Sequence, residues 1–182
     1  ATDIASTFAT TVQLGFRTLE GGGTGTKLWS GGILLAGFLA DAALLHKVGL
    51  TFEGKDLLEL GAGSSALPSI LSCRYSPRSI IASDGIQNVV ETLSANMARN
   101  APSVQVQLLD WMSAGRRAYS RAEKADIILF ADCIYTERGG LYLADAIMSL
   151  LRPKGVVIGS LPDLRGGLSS FEEDMEVRGF HA

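Results

Sequence analysis

The sequence predicts a single α/β domain on a mainly parallel, doubly wound sheet, and three observations carry that expectation. Short apolar runs of strand length recur along the chain, each followed by a segment with helical spacing. The first run breaks into the glycine turn Gly61-Ala62-Gly63 at the mouth of a helix. With 182 residues, 47% of them apolar and 19% charged, the chain has material for one sizeable core and not for two.

Glycines between Gly21 and Gly25 set off an N-terminal arm, residues 1–27, from a body of residues 28–182. In the arm, Val12, Leu14 and Phe16 alternate with Gln13 and Gly15, the period of a half-buried strand. In the body, Ile33, Leu34, Leu35, Phe38, Leu39, Ala42 and Leu45 recur at helical spacing up to Lys47, whose charge suits a helix C-terminus. A strand follows over Asp56–Leu60, then a helix to about Cys73 and a strand over Ile80–Ser83. The next helix is the clearest: Ile86, Val89, Val90, Leu93 and Met97 share one face while Asn88, Glu91 and Asn96 point outward. Asn100, Ala101 and Pro102 end it. Strands over Val104–Leu109 and Ile127–Ala131, a helix from about Gly140 to Leu151 and a strand over Val156–Gly159 complete the alternation. A last helical pattern surrounds Phe171, Met175 and Val177. The segment Met112–Lys124, with Arg116, Arg117, Arg121 and Lys124, reads as a solvated loop, the alternative being a surface that faces an acidic protein partner.

Composition narrows the function. Sixteen Lys and Arg against nineteen Asp and Glu leave a net charge of −3, which argues against a purely electrostatic nucleic-acid or membrane binder. Cys73 and Cys133 have neither zinc-site nor disulfide-scaffold spacing, so no metal site is expected and a reducing, cytoplasmic setting is, the nucleus not excluded. The longest apolar stretch, Gly31 to Leu45, contains Asp41 and falls short of the roughly 20 residues of a membrane span.

The chemistry concentrates in Leu57-Leu58-Glu59-Leu60-Gly61-Ala62-Gly63-Ser64-Ser65-Ala66. Gly61 and Gly63 allow a ligand close to the backbone, and the helix that follows offers free N–H groups. Asp84 ends the second strand near the same crevice, placed to accept hydrogen bonds from a ribose. The bland alternative makes the glycines a tight turn and Asp84 a helix cap. Gly61-x-Gly63-x-x-Ala66 also satisfies the dinucleotide fingerprint. Glu59 weighs against a dinucleotide, because its carboxylate would face a pyrophosphate and suits instead a cofactor carrying an ammonium and a sulfonium. Glu59 can equally be an orienter of loop N–H groups.

With Glu59, Gly61, Gly63 and Asp84 in these places, the chain resembles the seven-stranded, class I S-adenosylmethionine-dependent methyltransferases, of Rossmann-like fold. A narrower resemblance, to the lysine methyltransferase-like family 16, lies in Asp132-Cys133-Ile134-Tyr135, an Asp-x-x-Tyr motif after the fourth strand. Leu28-Trp29-Ser30-Gly31-Gly32 and Leu109-Asp110-Trp111 resemble two further marks of that family, so the match runs from about Trp29 to Ser160.

The resemblance implies S-adenosylmethionine as cofactor and S-adenosylhomocysteine as product. Trp29, Glu59, Gly61, Ala62, Gly63, Asp84, Asp110, Trp111 and Ala131 would form the cofactor site, with Asp84 on the ribose and Trp111 beside the adenine. Asp132 and Tyr135 would be catalytic, the first holding and aiming the acceptor amine and the second walling its slot and facing the developing cation. Packing alone is the plainer alternative for Trp29 and Trp111, and a helix cap with a packed first-turn ring for Asp132 and Tyr135. Cys133 has no histidine partner in the sequence pattern and reads as packing. The implied activity is N-methylation of a lysine on a non-histone protein, such as a translation factor or chaperone, by a monomer. A small-molecule amine methyltransferase, a partner-binding module that keeps the fold, and a nicotinamide-dependent oxidoreductase are the alternatives. The class usually adds two strands after the fifth helix, so the C-terminal hairpin is expected to be truncated here.

Overall fold

A computed structural model describes residues 24–163 and 166–181; the arm strand expected at Val12–Phe16 lies outside them. Five strands form one all-parallel sheet: β1 (Asp56–Leu60), β2 (Ser79–Asp84), β3 (Gln105–Leu108), β4 (Ala125–Ala131) and β5 (Leu151–Ser160), in the order β3-β2-β1-β4-β5. The chain works outward from β1 to β3 and then crosses back to β4, so the strand order reverses between β1 and β4. In such sheets a crevice opens at that point, beyond the carboxyl ends of the strands.

Seven helices cover the sheet among the described residues: α1 (Ser30–Ala40), α2 (Ala42–Lys47), α3 (Leu67–Ser72), α4 (Gln87–Asn100), α5 (Trp111–Gly115), α6 (Glu137–Leu150) and α7 (Leu168–Val177). The two-residue period of the strands sorts their apolar side chains into two cores. Leu57, Ile127 and Leu129 join Leu35, Leu39, Ile70, Leu93 and Met97 on the face of α1, α3 and α4. Leu58, Leu60, Ile128 and Phe130 join Leu143, Ile147, Phe171 and Met175 on the face of α6 and α7. Leu39, Leu60, Leu93, Ile128 and Leu129 lose all contact with water, each such burial contributing about 1.5–3 kcal/mol.

Several elements depart from the pattern read in the sequence. The helix expected over Ile33–Lys47 is two helices, because the Asp41 carboxylate accepts the Leu44 N–H at 2.9 Å and caps α2 afresh. Asn96, expected to face water, is buried, and its amide donates to the Ser64 carbonyl at 2.7 Å. Ile86 stands before α4 and is 48% exposed, and Val177 is exposed rather than packed. β5 begins five residues early, since a bulge at Pro153 to Gly155 lets Leu151 pair with Ala125 before Val156 pairs with Ile127. The segment after β3 is partly ordered: Asp110 caps α5, and Ser120 and Glu123 close a capping box on a short 3-10 turn.

Candidate active site

Everything that shapes the crevice starts at the end of β1. Gly61 and Gly63 adopt φ +64° and +60°, a left-handed backbone that glycine takes without penalty. Space requires glycine as well: a Cβ on Gly61 would lie 2.9 Å from the Cys133 Cβ and 3.0 Å from the Trp111 ring. The turn is held on three sides. Ala62 N–H donates to the Ser83 carbonyl at 2.9 Å, Ser64 N–H to the Gly25 carbonyl at 2.8 Å, and Gly63 N–H to Asp84 Oδ2 at 3.1 Å.

Asp84, at the tip of β2, also accepts the Ile86 N–H on Oδ1 at 3.0 Å, so its carboxylate ties the glycine turn to the head of α4. It thus serves as a local cap and lines the crevice too. Burial pushes its pKa up, against backbone N–H groups that favour the charged form. A carboxylate oxygen carries two lone pairs, which leaves acceptor capacity for a pair of hydroxyls.

Glu59 is 3% exposed, and strand parity turns it toward α3. There Oε2 accepts both the N–H of Ser69, at 2.9 Å, and its hydroxyl, at 2.5 Å. Desolvation raises its pKa to about 7. Of the N–H groups at the head of α3, that of Ser69 is committed to Glu59.

At the other side of the crevice stands the end of β4. Ala131 leads into Asp132, whose backbone is left-handed at φ +51° and whose carboxylate is 2% exposed. Its Oδ2 accepts the Gly31 N–H in the first turn of α1. The helix cap here belongs to Thr136, which accepts the Gly139 N–H, so the capping alternative for Asp132 falls away. Tyr135 is 44% exposed and its ring meets that of Trp29, centroid to centroid 6.4 Å and tilted by 60°. Asp110 spends Oδ2 on the N–H and hydroxyl of Ser113, whose hydrogen bonds pull its pKa down, and thereby seats Trp111 at the head of α5.

These groups enclose one cavity of about 370 Å³, within the range of small-molecule sites. Trp29, Glu59, Gly61, Ala62, Gly63, Asp84, Asp110, Trp111, Ala131, Asp132 and Tyr135, all singled out in the sequence, line it together. So do Lys27, Leu28, Ile86, Met112 and Tyr142, which sequence reasoning missed. Ile86 and Met112 had a signal, since each stands within two residues of a predicted site residue at a strand end. Cys133 lines the wall with a buried thiol whose pKa desolvation raises. Apart from Met112, the basic segment takes no such part: Arg117 pairs with Glu123 at 2.6 Å, stacks on Tyr119 and lines a second cavity, of about 210 Å³, beside Asp56 and Ala125 at the opposite ends of the strands.

The fold is that of the Rossmann-like methyltransferases. The ribosomal protein L11 methylase of Lactobacillus delbrueckii superposes with a TM-score of 0.58 at 19% identity, over 82% of this chain and 69% of that one. SMU.776, described as a methyltransferase and solved in complex with S-adenosylhomocysteine, gives 0.61 at 16% identity, over 85% and 41%. The chain belongs to the lysine methyltransferase family, whose sequence pattern matches residues 9–176. Among curated relatives, the protein-lysine N-methyltransferase EFM3 of Chaetomium thermophilum is 33% identical over 123 residues, 63% of this chain and 34% of that protein. The diaminohydroxyphosphoribosylamino-pyrimidine deaminase of Schizosaccharomyces pombe is 31% identical over 132 residues, 71% and 31%. The chain therefore spans about a third of the length of the curated relatives it matches. Among the described residues, no helix is long and apolar enough to cross a membrane.

Proposed function

We propose that the chain binds S-adenosylmethionine in this cavity and transfers its methyl group to a lysine amine of a protein substrate. One observation carries the reading: a single cavity at the reversal point of the sheet holds a buried ribose-type acceptor, Asp84, beside a glycine cradle, and an Asp-x-x-Tyr pair across from them. The residues fit the group: the buried carboxylate of Asp84, the left-handed Gly61 and Gly63 and the rings of Trp29 and Trp111 line one cavity.

S-adenosylmethionine supplies, when bound, a methyl group on a sulfonium that departs as a neutral thioether. Asp84 would accept the ribose hydroxyls and Trp111 would cover the adenine. A free lysine, with a pKa near about 10.4, is mostly protonated at neutral pH. Trp29, Leu28 and Tyr135 at the cavity mouth strip water from the entering side chain, which favours its neutral amine. An amine held there would present its lone pair in line with the methyl carbon and would leave as a methylated ammonium. The ring of Tyr135 and the carboxylate of Asp132, which line the same cavity, would stabilise that cation. A translation factor or chaperone met in the cytosol, by a monomeric enzyme, suits the reading, which the similarity to a protein-lysine methyltransferase supports.

Calorimetric titration with S-adenosylmethionine, S-adenosylhomocysteine and NAD tests the cofactor. Binding of the first two without NAD is expected; NAD binding alone would sink the proposal. Transfer of radiolabelled methyl to lysine in lysate proteins, and not to small amines, tests the substrate class.

A further inference from the structure

Asp132 is committed to the protein itself. Its carboxylate accepts the N–H of Gly31, 101 positions earlier, and its own N–H donates to the Ser160 carbonyl at 2.9 Å. It holds this pose from a left-handed backbone, φ +51°, that a side chain rarely adopts. The fit leaves no room for anything but glycine opposite: a Cβ on Gly31 would lie 2.5 Å from Asp132 Oδ2 and 3.0 Å from the Ser160 carbonyl.

The segment pinned in this way is a wall of the cavity. Residues 25–32 run across it, with Lys27, Leu28 and Trp29 lining the space. The far end is tied down separately, where Gly25 accepts the Ser64 N–H at 2.8 Å. Between the two anchors, Trp29 rests against Tyr135.

We propose that Asp132 is a positioning residue for the cofactor: by holding Gly31 it fixes the strap of residues 25–32 across the cavity and so sets cofactor affinity, in addition to facing the acceptor. The proposal rests on the reading of the cavity as an S-adenosylmethionine site. A neutral carboxamide can still accept the Gly31 N–H, whereas a methyl group cannot, so the role depends on an acceptor oxygen and not on charge.

The test compares S-adenosylhomocysteine affinity, by calorimetry, for the unaltered chain, Asp132→Ala, Asp132→Asn and Gly31→Ala, with amide exchange at Gly31 followed by NMR without ligand. Asp132→Ala should weaken binding by about tenfold or more and unprotect the Gly31 amide while the β1 and β4 amides stay protected, which also shows that it folds. Gly31→Ala, which keeps the carboxylate and breaks the fit, should weaken binding to a similar degree, and Asp132→Asn should restore it. Unchanged affinity with a protected Gly31 amide in Asp132→Ala would overturn the proposal, as would an Asp132→Asn variant as weak as Asp132→Ala. Failure of the unaltered chain to bind S-adenosylhomocysteine would overturn the cofactor reading itself, which the Gly31 exchange data separate from the pin.

Discussion

Gly63 donates its N–H to Oδ2 of Asp84 at 3.1 Å, joining the turn after β1 to the tip of β2 across 21 positions of sequence. The same carboxylate therefore shapes the cradle and offers acceptors to the ligand it would cradle.

Replacing Asp84 by Ala should remove both. Each charge-assisted hydrogen bond contributes about 1.5–3 kcal/mol, so S-adenosylhomocysteine binding should weaken by roughly a hundredfold or more. Calorimetry at constant pH measures it, and a loss below about threefold would mean that the ribose lies elsewhere.

Gly61→Ala tests the cradle. The new Cβ meets Cys133 and Trp111 at a backbone angle that glycine alone takes freely. A cost of about 1–3 kcal/mol in urea unfolding is expected, together with lost cofactor binding. Unaltered stability would show that the turn can relax.

Glu59 makes stability depend on pH. Its folded pKa is about 7 against an ordinary 4.5, so between those values the native state keeps a proton that the unfolded chain has released. Stability from this group is therefore greatest below about 4.5, falls as pH rises toward 7, and levels off above. Glu59→Gln should flatten that decline, which amounts to something on the order of 3 kcal/mol. Urea melts of both proteins at acidic and mildly basic pH decide it, and parallel curves would refute the burial argument.

Arg152 bridges Asp56 at 2.8 Å and Asp126 at 2.7 Å at the amino ends of β1 and β4, far from the cavity. Arg152→Met leaves Arg78 alone to hold both carboxylates and should cost about 1–3 kcal/mol in unfolding free energy. Affinity for S-adenosylhomocysteine should stay as it was, and a change there would show that the two ends of the sheet communicate.

The five strands, the clearest helix and the residues around the glycine turn were legible because each is a local matter of period, turn chemistry and position at a strand end. The exceptions have local causes too. Asp41 interrupts an apolar helical pattern by capping a new helix, and Pro153 and Gly155 hide the start of β5 because neither is a strand former. Asn96 looked solvent-bound because it lies on the polar side of its own helix. Its partner, the Ser64 carbonyl, is brought there only by the turn packing onto α4.

The sequence by itself determined the parallel α/β class and which side chains gather at one crevice, since these follow from residue type and spacing along one dimension. Tertiary structure alone decided what those side chains are bonded to. Glu59 turns to Ser69, Asp84 to Gly63 and Asp132 to Gly31. Each buried carboxylate must find hydrogen-bond donors when water is removed, and which donors lie within reach is fixed only when distant segments pack together.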